Sequence, residues 1–151
     1  MILKLTTSDI GGLSRELDEF RRQIGAATRD IRFLNSVGAL LVSRGKYNLE
    51  EGGAGGKSYV LLKVATRREK RRKGYSMKPL QRTGLLRRSL NHETVGGELQ
   101  LTGIDILRHH QYGAPRAGIP QREVYTVEDE DLQDIQTFLE RSLKRNTTLL
   151  Q

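Results

Sequence analysis

The sequence predicts an α+β fold: an N-terminal helix pair, a basic helix, a small antiparallel sheet built on a β-hairpin, and a C-terminal helix. Two patterns carry that expectation. Apolar residues recur at helical spacing near both ends of the chain, and the stretch after Leu90 alternates with period two around Gly96-Gly97. The length of 151 residues suits one modest core, so a single domain over 1–151 is expected.

Leu13, Leu17, Phe20 and Ile24 stand at i, i+4, i+7 and i+11, with charged residues such as Glu16, Glu19, Arg21 and Arg22 on the other faces. This first helix starts at Ser8 or Ser14, because Gly11 and Gly12 weaken the turn between them, and Gly25 reads as a stop or a kink. A second helix is expected from about Ala27 to Arg44. There Ile31, Phe33, Leu34, Val37, Leu40, Leu41 and Val42 form an apolar surface wide enough to be buried, and the two helices are expected to pair antiparallel. The glycine-rich run that follows fails as a phosphate loop. The first glycine of that pattern would fall at Glu51, and a helix rather than a strand precedes it. Residues 47–58 are expected as a flexible loop.

A third helix is expected from Tyr59 to Lys73, apolar early at Leu61, Leu62, Val64 and Ala65, and basic late. Arg67, Arg68, Lys70, Arg71, Arg72 and Lys73 crowd its end with Glu69 as the only acid, so this segment is expected to face DNA or an acidic protein partner. Gly74 ends it, and 73–79 is expected as a second flexible loop. Thr83 then caps a short helix, since its side-chain oxygen can accept a backbone N–H two or three residues on. Leu85, Leu86 and Leu90 make its apolar side, with Arg87 and Arg88 pointing away.

Pairing Val95 with Glu98 across Gly96-Gly97 places Leu90, His92, Thr94, Leu99 and Leu101 on one face of a half-buried hairpin. A third strand is expected at Arg122–Val127, because two strands alone are marginal. Between them, Ile104–Tyr112 reads as a short helix stopped by Gly113. The last helix opens in acid at Glu128-Asp129-Glu130-Asp131 and closes in base at Arg141, Lys144 and Arg145. Its stripe is Leu132, Ile135, Leu139 and Leu143, and Asn146 to Gln151 is expected to be a loose tail.

Composition restricts the chemistry. With no cysteine there is no disulfide and no thiolate nucleophile. The N-terminus turns polar too early for a signal peptide, and no run approaches the roughly 18 apolar residues of a membrane span, so a soluble protein without membrane contact is expected. His109 and His110 are adjacent, diverge by about 100° on a helix and make a poor metal pair. No nucleophile elbow or dinucleotide fingerprint appears, so no enzyme activity, cofactor, metal or small-molecule substrate is expected. His110 and Gln111 are expected to hydrogen-bond loop backbone where their helix ends, fixing the loop through Pro120. The net charge of +8 favours acidic partners.

The serial order of motifs carries further information. Leu80, Thr83, Gly84, Leu86 and Ser89 form one segment; His110, Gln111, Tyr112 and Gly113 form a second; Ile119, Pro120 and Arg122 form a third. Upstream, Gly56, Tyr59, Leu62, Thr66 and Lys70 stand at fixed spacing. This order resembles the phage virion morphogenesis family, the tail-completion proteins of Mu-like tailed phages. The chain departs from the family pattern at Tyr59, where Trp is usual, and at Glu123-Val124, where Pro and an aromatic are usual. The resemblance implies a structural neck or tail-completion protein, assembled in the host bacterial cytoplasm and carried in the virion. It would cap the tail and help join it to the head as a homo-oligomeric ring, a hexamer favoured, beside tail terminator and head connector proteins and in non-specific contact with packaged DNA. The alternative is a non-enzymatic nucleic-acid-binding protein using Arg67–Lys73.

Overall fold

The computed structural model describes residues 18, 19 and 21–148. Helix α1 covers residues 21–28 and runs through Gly25, so that glycine is not its stop. Leu13, Leu17 and Phe20 of the expected stripe lie outside the described residues, as do both proposed starts. Asp30 sets the boundary. Its carboxylate accepts the Arg32 N–H at 2.9 Å and opens α2 (Ile31–Glu51). The same carboxylate accepts from Ser142 Oγ at 2.9 Å and from Arg145 at 2.7 Å, which ties the first turn of α2 to the far end of the chain.

Helix α2 continues past Arg44 to Glu51 because Asn48, a weak helix former, is buried and fully used: its amide donates to the Val124 carbonyl at 3.0 Å and to Thr126 Oγ1 at 2.9 Å. Gly52 then closes the helix by donating to the Asn48 carbonyl. Residues 47–58, expected as a flexible loop, therefore hold the last turn of α2 and a tight antiparallel ladder of β1 (Gly53–Ala54) on β2 (Lys57–Ser58).

The second hairpin has the expected register. Strands β3 (Asn91–Val95) and β4 (Glu98–Thr102) pair with Val95 opposite Glu98, and Gly96 and Gly97 have φ of 61° and 80°, as a primed turn requires. Its inner face, with His92, Thr94, Leu99 and Leu101 half-buried, packs on α2. The approach is close at Gly38, where a Cβ would lie 2.3 Å from His92 Cδ2 and 2.8 Å from Leu99 Cδ1.

Among the described residues no third strand joins this sheet: Arg122–Val127 is irregular backbone, although Val124 is completely buried. The reason is the side chain of Gln111 on α5 (Ile106–Tyr112), which takes the hydrogen-bonding groups that a strand would have offered to a neighbour. Helix α6 (Asp129–Thr148) closes the fold against α2, and residues 146–148 of the expected tail are its last turn. Ile135, Leu139 and Leu143 of its stripe are half-buried, whereas Leu132 is 54% exposed. The buried place in that first turn goes to Asp131, paired with Arg44 at 2.8 Å and accepting the Glu128 N–H at 2.9 Å. The core gathers Val42, Leu49, Tyr59, Leu86, Leu90, Leu107 and Val124.

Candidate assembly surface

Helix α3 (Val64–Arg72) begins five residues after Tyr59, because the preceding backbone is already committed. The Tyr59 N–H donates to the Gly52 carbonyl at 2.8 Å, and its phenol, pushed up to about 12 by burial, donates to the Glu123 carbonyl at 2.7 Å. The Val60 carbonyl accepts Nε and Nη2 of Arg122 at 3.2 and 3.0 Å. Extending the segment leaves two of its apolar side chains outward: Leu61 is 80% exposed and Val64 61%.

Of the six basic residues, Arg67, Arg68, Arg71, Arg72 and Lys73 are exposed. Lys70 is not. It is buried, and its ammonium donates to the carbonyls of Ser76, Lys78 and Gln81 at 2.8, 2.8 and 3.0 Å. Burial lowers its pKa, with help from the nearby Arg82 charge. The loop 73–79 wraps around this group rather than standing away from it. Glu69 bonds to Lys73 at 3.1 Å and to Arg82 at 2.8 Å, and those cations hold its carboxyl low.

The downstream motif residues divide by task. Thr83 Oγ1 accepts the Leu85 N–H at a long 3.4 Å, while the residue next to α4 (Leu85–Ser89) is Gly84, so the cap lies one residue later than expected. Leu86 is buried. Ser89 Oγ donates to the Leu86 carbonyl at 2.8 Å and accepts the Ile104 N–H at 3.1 Å, joining α4 to the approach of α5. Gly113 stops α5 with φ of 74°, and a Cβ there would sit 3.2 Å from the Gln121 nitrogen. Tyr112 is 75% exposed.

Gln111 bonds loop backbone as expected, but the His110 side chain does not: its carbonyl accepts the Arg122 N–H at 2.7 Å, while Nδ1 is buried without a hydrogen-bond partner. Burial, then the Arg122 and His109 charges, lower its pKa and favour the neutral ring. Arg122 is buried too, and desolvation lowers its pKa.

These pieces enclose a groove of about 490 Å³ between α3, α4, α5 and the 118–122 loop. Leu62, Leu80, Leu86, Ile104, Ile119 and Pro120 supply its apolar surface. Thr83, His110 and Arg122 also line it, so motif segments separated in sequence meet at one place. Their order along the chain has a family counterpart: the sequence model of the phage virion morphogenesis family matches residues 9–144. The chain belongs to the phage virion morphogenesis family. No curated protein and no solved structure matches it.

In this virion morphogenesis protein the match covers every wall of the groove. Sequence reasoning missed two of its supports. Gln81 donates from its side-chain amide to the Leu49 carbonyl while its own carbonyl holds Lys70, and Asn48 anchors Val124 from the opposite side. Neither position carries a periodic or capping signal. No helix among the described residues is long and apolar enough to cross a membrane.

Proposed function

We propose that this family member is a tail-completion or neck protein, a structural component that caps the assembled tail and helps join it to the DNA-filled head as a closed ring, with six copies favoured. The family match over residues 9–144 carries the reading. The use of the polar motif groups supports it: Lys70, Ser89, Gln111 and Arg122 each bond main-chain groups and hold the surface in one shape. Such a surface suits repeated docking. The exposed arginines of α3 would then face the DNA channel or an acidic neighbouring ring.

The second reading, a dedicated nucleic-acid-binding protein, is favoured by those same exposed cations on one short helix. Binding to two unrelated duplexes at two salt concentrations separates the readings. A neck protein holds DNA weakly and without sequence preference, its affinity falling with a log–log salt slope of roughly −0.9 per phosphate contact. Tight, sequence-selective binding that survives physiological salt replaces the neck reading with the second one.

A further inference from the structure

We propose that the groove receives the acidic, apolar start of α6 from a second copy of this chain, making a head-to-tail contact. The charge balance of the groove comes first. Lys63, Lys70, Arg82 and Arg122 line it, and among the described residues no carboxylate does. Lys70 and Arg122 are buried on main-chain carbonyls, whose dipoles orient the cations without neutralising them. Arg82 shares the single carboxylate of Glu69 with Lys73. Apolar area surrounds this charge, with Leu85 52% and Ile106 46% exposed at the groove and Val64 exposed on the adjoining helix. DNA would use the cations and leave the apolar area wet, whereas a wholly apolar partner would desolvate the cations without compensation. The occupant therefore brings both an apolar side chain and carboxylates.

The chain presents such a surface at the start of α6. Val127 and Leu132 are 53% and 54% exposed. Asp129, one helical turn before Leu132, is exposed with them, and Asp134 extends the acid, while the outer carboxylate of Glu130 already pairs with Arg44 at 3.6 Å. This shoulder is braced from beneath, since Asp131 and Glu128 are both paired with Arg44 of α2. None of its residues lines the groove. Two different surfaces that complement each other make a heterologous contact, which closes into a ring or continues as a filament. The inference rests on the ring reading for closure, and it names the surfaces that meet.

The absence of cysteine makes the test direct. Two single-cysteine proteins, Lys63→Cys and Asp129→Cys, are mixed at high concentration and oxidised, and the double variant is also supplied to phage whose own gene is deleted. The expected result is a mixed disulfide dimer in excess of both like pairs, reduced at high salt, and a ladder from the double variant. Lys63→Glu is expected to weaken self-association at least tenfold by sedimentation, with partial recovery on mixing with Asp129→Lys. Self-association by light scattering with no mixed dimer in solution or in tails overturns the inference and leaves the ring to another face. Completed tails containing one copy overturn the ring reading as well. A disulfide from Lys63→Cys to a different tail protein assigns the groove to that protein and overturns self-docking.

Discussion

The side-chain amide of Gln111 meets three main-chain groups of a neighbouring segment: it accepts the Val124 and Tyr125 N–H groups at 2.9 Å and donates to the Tyr125 carbonyl at 2.9 Å. Gln111→Leu, close in volume, strands those groups beside a fully buried valine. It is expected to cost about 2–4 kcal/mol in urea unfolding, with Gln111→Glu, which keeps the acceptor, losing less. Gly113→Val forces a β-branched residue to φ of 74° against the Gln121 backbone, and a loss of about 1–2 kcal/mol or more in the same measurement is expected. His110 gives a pH dependence. Its pKa is lowered in the folded protein, so the unfolded chain binds more protons as pH falls through the ordinary value of 6.5, and stability declines there. His110→Leu is expected to flatten that decline while matching or exceeding wild-type stability at pH 8, as read by thermal melts. Asp30 acts in a separate window. Arg145 holds it at about 2 against an ordinary 3.8, so its contribution persists to lower pH and is lost between those values.

Among the elements, those whose signal is local were legible. The β3–β4 register follows from alternation and two adjacent glycines, and the Gly113 stop and the acid-to-base run of α6 follow from single residues at helix ends. Elements set by distant partners were not. Helix α2 runs on because Asn48 finds Val124 seventy-six residues away, and α3 starts late because Arg122 claims the Val60 carbonyl. The expected third strand is absent because a glutamine side chain substitutes for a neighbouring strand, which no period reveals. The groove was legible as a list of motif residues and not as a place. Hydrophobicity alone does not tell that Leu61 and Val64 stand exposed, and Lys70 looked like one more surface cation. The hairpin's seat on α2 yields a test against propensity. Gly38→Ala would favour an isolated helix by about 1 kcal/mol, yet its Cβ would meet His92 and Leu99, so a net loss of about 1–3 kcal/mol is expected from chemical denaturation.

At the scale of the whole molecule, the excess positive charge is carried in part by exposed residues of α3. Arg71→Glu with Arg72→Glu is expected to leave the melting temperature within about 2 °C, since surface substitutions shift stability by about 0.5 kcal/mol or less, while lowering the yield of infectious particles from separate heads and tails. A drop in stability would show that these side chains belong to the fold. Lys70 gives the same region a different kind of observable. An amine shielded by three carbonyls is out of reach of acylating reagents, although burial shifts it toward the neutral, nucleophilic form. Exposed Lys63 and Lys73 would be labelled at once. Lys70 would be labelled only when the turn from Ser76 to Gln81 lifts away, so its acylation rate is a clock for the opening of the groove wall.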